Sequence, residues 1–235
     1  MQQTILFDLD GTLLPMDLER FIDLYLRAFS AKFSQKLQLP PKALTGGIWE
    51  GANAMAHNDG RCLNRELFWD TLSRACGRNM WPYEQEFDDF YRHEFIAAKE
   101  ATQVNPHVVK MIAALRASGR RLILATNPLF PKPATHARIR WAGLDPSDFD
   151  YITLYDNCTT SKPNLQYYRD ICAHCGVKPE ECLMVGNDVD EDMCAGEIGM
   201  QTFLVTDCLI NRHGKSIERY PHGGVPLLSA RLLSG

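Results

Sequence analysis

The chain has 235 residues and 45% hydrophobic side chains, enough to bury the core of one large domain or of one domain carrying an insert. Its net charge of −4 gives no electrostatic reason to expect nucleic acid or an anionic membrane as partner. No apolar run reaches membrane-spanning length, the N-terminus lacks a secretory-leader pattern, and eight cysteines in so core-rich a chain fit a reduced cytoplasm better than a disulfide scaffold.

The first predicted element is a buried strand over residues 4–9, TILFDL, an apolar run with β-branched and aromatic members. It stops on two acids, Asp8 and Asp10, followed by a Gly11-Thr12 turn. Side chains alternate along a strand, so Asp8 and Asp10 point the same way if the extended form persists. Two carboxylates that close repel unless a cation lies between them, and hard oxygen ligands favour Mg²⁺. Such a pair can also divide labour, one attacking and one moving a proton. The plainer alternative is that Asp8 caps the strand end and Asp10 starts a turn.

Residues 16–102 read as helical. Phe21, Leu24, Tyr25, Ala28 and Phe29 recur at helical spacing, as do Leu67, Phe68, Leu72 and Ala75, and then Phe87, Phe90, Tyr91 and Phe95. Pro40-Pro41, Gly46-Gly47, Asp59-Gly60 and Trp81-Pro82 punctuate them. A helical block between the first strand and the next has the form of an inserted cap. Within it, residues 48–57 are expected to form a helix opened by Gly46-Gly47. Trp49, Asn53 and His57 share one face of that helix and could bind a polar organic group. Packing of Trp49 with a solvated His57 is the plainer alternative.

After Asn105-Pro106 the pattern changes. A helix over 107–118 ends at Gly119, and RLILAT at 121–126 is a strand. A helix follows through residues 138–141, then a strand at 151–155 and a helix at 165–175 closed by Gly176. CLMVG at 182–186 is a strand, 193–198 lies in a helix, and TFLVT at 202–206 is a further strand. This alternation predicts an α/β fold: a Rossmann-like parallel sheet flanked by helices, with an inserted all-helical cap domain. The expected division is a core of residues 1–15 and 103–235 and a cap of 16–102. Residues 211–224 are polar and turn-rich, and 225–233 carry apolar residues that suit a strap on the core. Cys172 and Cys175 form a CxxC without a second ligand pair at zinc spacing, which disfavours a zinc or redox role.

In open α/β sheets ligands sit beyond the carboxyl ends of the strands, and three more chemical stations fall there. Thr126-Asn127 can donate to phosphate oxygens, although both residues are also common turn formers. Lys162, before Pro163, can neutralise a nucleophile and a phosphate; a solvated loop lysine is the ordinary alternative. VGNDVDED at 185–192 sets an acidic loop after an apolar strand.

Taken in this order, DxDGT, Thr126-Asn127, Lys162-Pro163 and the acidic loop resemble the four motifs of the haloacid dehalogenase-like hydrolases, the aspartyl-phosphate phosphatase superfamily. The resemblance implies that Asp8 is the nucleophile and Asp10 the general acid/base. It implies phosphate binding by Thr126, Asn127 and Lys162, and Mg²⁺ held by Asp8, Asp10 and Asp188. The family's fourth motif pairs Gly-Asp with a second Asp four or five residues on, and here the register is split. Asp188 is the favoured acidic ligand, Asn187 a neighbour or alternative ligand, and Asp192 a support for Lys162 or a metal-bound water. Asp10 sets the chain with the phosphatase branch, and the cap's position resembles the phosphoglycolate phosphatase-like group. The expected function is Mg-dependent hydrolysis of a small phosphorylated metabolite through an aspartyl phosphate. A phosphomutase with the same site and a non-catalytic binding protein on the same fold are the alternatives. The partner expected is the metabolite alone, with no nucleic acid and no membrane. The substrate's identity and the oligomeric state are not encoded in any motif.

Overall fold

The computed structural model describes residues 4–234. Six strands form one sheet: β1 (Thr4–Phe7), β2 (Arg121–Leu124), β3 (Tyr151–Ile152), β4 (Cys182–Gly186), β5 (Gln201–Val205) and β6 (His222–Gly223). Their order is β3-β2-β1-β4-β5-β6 and every pairing is parallel. This is the expected α/β Rossmann-like arrangement, with β1 inside the sheet. Alternation sends its side chains to two cores. Ile5 and Phe7 pack in the larger apolar cluster with Leu122, Leu124, Leu183 and Val185. Leu6 faces the other way, onto Ile123, Met184, Tyr167 and Ile171.

Between β1 and β2 the chain is helical: α1 (Leu18–Leu37), α2 (Pro41–Ala56), α3 (Asn64–Ala75), α4 (Glu84–Arg92) and a 3₁₀ stretch over Glu94–Ala101. Asp17 caps α1 by accepting the Arg20 amide at 3.0 Å. Phe29, Phe33 and Phe87 fill the middle of this block, with ring centroids 4.6–4.8 Å apart. α2 starts seven residues before the expected Ile48, so Gly46 and Gly47 lie inside it. Gly47 and Gly51 serve close packing instead. A Cβ on Gly51 would sit 2.6 Å from the Phe68 ring, and one on Gly47 2.9 Å from Leu72, so α3 approaches closely only because both are bare.

The remaining helices flank the sheet: α5 (Pro106–Ala117), α6 (Lys132–Trp141), α7 (Leu165–Cys175) and α8 (Val225–Leu233). Asn105 caps α5 through the His107 amide at 3.0 Å, and Gly176 ends α7 at φ +64°. α8 is the strap expected at 225–233, and it buries Val225, Leu228 and Leu232.

Several boundaries differ from the sequence reading. β1 ends at Phe7 because the amides of Thr12 and Leu14 both turn back to the Leu9 carbonyl. β3 keeps only two residues, since Asn157 takes the Leu154 amide at 2.8 Å. Residues 193–198 form a 3₁₀ stretch. β6 lies in the polar tail and adds a short edge by pairing Leu204 with His222. Cys172 is buried within α7, and all eight cysteines are free thiols. Among the described residues no helix is long and apolar enough to cross a membrane.

Candidate active site

Parallel register brings three strand ends level. Phe7 pairs with Leu124 on one side and Val185 on the other, so Asp8 is level with Ala125 and Gly186, and Thr126 and Asn187 follow one residue on at the same edge of the sheet. The Asp8 amide continues the ladder for one step, to the Val185 carbonyl at 2.9 Å.

Both oxygens of Asp8 are held. Oδ1 accepts from Lys162 Nζ at 2.8 Å, and Oδ2 lies 3.0 Å from the Thr12 hydroxyl. Lys162 also donates to Asp192 Oδ1 at 2.6 Å, and its side chain is 1% exposed. Burial works against charge on Lys162, but Asp192 and Asp8 outweigh it and hold the ammonium well above the usual lysine range. Burial pushes the Asp192 carboxyl above the usual range, with Lys162 pulling it down and Asp8 adding to the rise. The second Asp192 oxygen accepts the Asp188 amide at 2.9 Å. A Cβ on Gly186 would lie 2.1 Å from that oxygen, so this position has room only for glycine.

Asp10 sits beside Asp8 on the cavity wall. Its Oδ2 is paired with Arg138 of α6, a residue 1% exposed whose guanidinium lies 4.4 Å from the centre of the Phe130 ring. The other oxygen, Oδ1, is buried with no protein partner. Burial holds the Asp10 carboxyl above the usual range, although Arg138 pulls it down.

Thr126 is buried at the end of β2 and lines the cavity. Asn127 next to it accepts the Lys162 amide at 3.2 Å and donates to Glu191 at 3.1 Å. The two candidates after β4 both line the cavity and differ in their partners. Asn187 Oδ1 is 2.9 Å from the Thr12 hydroxyl that also reaches Asp8, and its amide nitrogen crowds Gly11 and donates to the Cys208 carbonyl at 2.6 Å. Asp188 is buried beside it. Its Oδ1 accepts the Asp190 and Glu191 amides at 2.8 and 3.0 Å, and its Oδ2 binds Arg212. Among the described residues no three His, Cys, Asp or Glu side chains converge as a ready metal cluster. Oxygens lining the cavity include those of Asp8, the unpartnered Oδ1 of Asp10, the Asn187 amide and the Asp188 carboxylate. They are hard donors of the kind Mg²⁺ takes.

Trp49 reaches this cavity, but Asn53 and His57 do not: both are exposed, and His57 Nδ1 is 2.9 Å from the Asn53 carbonyl. The stripe expected to bind a polar group is replaced by the opposite face of α2, with Ile48, Ala52 and Met55 on the wall. Arg138, Arg212 and Asn64 carry no sequence signal of a role. Asn64, fully buried at the start of α3, donates to the Pro128 carbonyl and to Ser161 Oγ, each at 3.1 Å, so it ties the helical block to the loops of two stations.

The family description of the haloacid dehalogenase-like hydrolases matches residues 2–197. The chain belongs to the haloacid dehalogenase-like hydrolases. Among curated relatives, it is 28% identical over 217 residues to a phosphoglycolate phosphatase of Salmonella typhi, covering 82% of this chain and 77% of that one. Among solved structures it is similar to an HAD phosphatase from Thermococcus onnurineus at a TM-score of 0.60, with 22% identity and 99% and 97% of the two chains covered. It is equally similar to a 2-haloacid dehalogenase from Pseudomonas syringae, at a TM-score of 0.61 with 20% identity and 100% and 99% coverage. The resemblance read from the four motifs is thus the family the comparisons find. In this haloacid dehalogenase-like chain, Cys208, Ile210 and Arg212 also line the cavity, although they lie beyond the matched residues.

Proposed function

We propose that the chain is a Mg-dependent phosphatase acting on a small phosphorylated metabolite through an aspartyl phosphate on Asp8. The observation that carries this is the pairing of a clamped Asp8 with a second, partly unpartnered carboxyl on Asp10 in one cavity. The relatives named as phosphoglycolate phosphatases support the same reaction class.

Asp8 attacks phosphorus in line, forming the Asp8–phosphorus bond while the bond from phosphorus to the alcohol oxygen breaks. Asp10 gives its proton to the departing alcohol; its raised proton affinity suits that work. Water then attacks phosphorus, Asp10 takes its proton, and Asp8 is released with inorganic phosphate. Arg138 keeps Asp10 oriented between the two steps. Lys162, Thr126 and Asn127 hold the phosphoryl oxygens by charge and hydrogen bonds.

Asp8 and Asp10 would hold Mg²⁺, which when bound screens the charge between carboxylate and phosphate. We assign the remaining protein ligand to Asn187, which is tied to Asp8 through Thr12. Asp188, the acid favoured on spacing, would then support the loop through Arg212.

We divide the chain into a core of residues 1–15 and 103–235 and a cap of 16–102. The two crossings lie side by side, with the Asp17 amide on the Ala101 carbonyl at 3.0 Å and the Gln103 amide on the Pro15 carbonyl at 2.9 Å.

The test is acid-quench trapping. With Mg²⁺ and a labelled phosphate donor, hydroxylamine-labile label should appear on the protein and be absent from Asp8→Asn. Turnover without such label would remove the covalent step.

A further inference from the structure

The cavity above Asp8 measures about 520 Å³, in the range of sites for ligands much larger than a two-carbon acid. Its floor is polar and charged, but the wall built by the helical block is apolar and aromatic. Ile22, Tyr25 and Leu26 come from α1 and Trp49 and Met55 from α2, with Phe130 facing them from the core.

Charge is distributed as unevenly as polarity. Among the described residues lining the cavity, the cations are Lys162 and Arg212. Lys162 is engaged by Asp8 and Asp192, and Arg212 by Asp188, with Glu191 at 3.9 Å. The only charged lining residue of the helical block is an acid, Glu19. A second anionic group on the substrate would therefore find no free cation there and one repelling carboxylate. A polyhydroxylated leaving group fares little better. The hydroxyls of Tyr25 and Tyr91 are 2.8 Å apart and bonded to each other, and Tyr155 is taken by Trp69 at 3.4 Å and Glu84 at 3.5 Å. Polar groups buried without partners cost binding free energy, whereas apolar surface buried on such a wall gains it.

We infer that the substrate is the monophosphate ester of an uncharged alcohol with a branched-apolar or aromatic body, its phosphate being the sole anion. Phosphoglycolate, whose carboxylate is a second anion, is a poor fit to this wall. The inference rests on the phosphatase reading above and deepens it. The Tyr25–Tyr91 pair holds two hydroxyl protons and spends one on the mutual bond, so it has a single proton left to donate to the alcohol.

The experiment is a steady-state comparison of primary-alkyl monophosphates with the full chain and Mg²⁺, because their leaving groups differ little in reactivity. 2-Phenylethyl phosphate and 3-methylbutyl phosphate are set against phosphoglycolate and glycerol 3-phosphate. Acetyl phosphate serves as a small donor that makes no demand on the wall. We expect kcat/KM for the apolar esters to exceed that for phosphoglycolate on the order of 100-fold, the gain from burying several methylenes. Leu26→Arg, which puts a cation on the wall, should move that ratio toward phosphoglycolate by about tenfold or more. Turnover of acetyl phosphate with phosphoglycolate equal to or better than the apolar esters overturns the substrate class and leaves the phosphatase reading standing. No turnover of any donor overturns both.

Discussion

Asp8 has little freedom, since Lys162 and Thr12 fix its two oxygens. Asp8→Asn keeps the shape and removes the attacking charge, so hydrolysis of acetyl phosphate should fall to background with an unchanged far-ultraviolet circular dichroism spectrum. Persistent turnover would take the nucleophile's role from Asp8. Asp10 depends on Arg138 in another way: Arg138 is buried and the Asp10 side chain is 26% exposed, so removing one leaves the other's charge only partly compensated by solvent. Arg138→Met should destabilise the fold by about 1–3 kcal/mol in urea titrations. Combined with Asp10→Asn it should cost less than the two changes separately, by at least ~1 kcal/mol. Strict additivity would mean that the pair is not coupled. After β4 the choice lies between neighbours. Asn187→Ala should weaken Mg²⁺ binding, measured by titration calorimetry, more than Asp188→Ala does. The reverse order would return the ligand role to Asp188.

The elements matter mainly by where they end. β1, β2 and β4 end near one another because the sheet is parallel and in register, and that brings residues 8, 126 and 187 to one edge of the sheet. The helical block needs separate anchoring, and α3 supplies it at its first residue. Asn64 uses its amide protons on Pro128 and Ser161 and accepts from Asn58 at 2.8 Å, all without solvent. Asn64→Ala strands those partners and should cost about 1–3 kcal/mol of stability. Hydrogen exchange should localise the loosening to the start of α3 and the 155–161 loop, where the Asn64 and Arg65 amides bond to the Cys158 and Tyr155 carbonyls at 2.8 and 2.9 Å. Loosening confined to α1 would contradict this anchor.

At the scale of the molecule, four segments far apart in sequence close on one cavity, and a fifth, the polar tail, finishes its rim with Arg212. Acids outnumber cations there. Asp8, Asp10, Asp188, Glu191 and Asp192 face Lys162 and Arg212, so the native state gains by binding a cation. Mg²⁺ at a hundredfold excess over its dissociation constant should stabilise the chain by roughly 2.7 kcal/mol, a rise in Tm on the order of 5–10 °C. Chelation with EDTA should reverse it. An unmoved melting curve would count against a metal seat among these oxygens.

The order of strands and helices, the four stations and the helical character of residues 16–102 were all legible, because each rests on local pattern: apolar run length, three- and four-residue spacing, and capping or breaking residues. β4 and α7 fall on the expected residues, since CLMVG is apolar throughout and Gly176 marks its helix end. β6 was not legible, because a His-Gly pair becomes strand only when β5 offers it an edge. Gly46 and Gly47 read as a break, yet they lie within α2, where the bare Gly47 lets α3 approach. Arg138 shows the same limit at the site. Nothing in the local run of α6 marks one arginine out, and its role exists only because the fold buries it against Asp10 and Phe130. Sequence alone determined the chemistry carried on each segment, because composition and short-range spacing are properties of the chain. The partners that Asn187 and Asp188 take, and the apolar wall above Asp8, were decided by tertiary structure alone, because side-chain contacts and cavity shape arise only when distant segments pack.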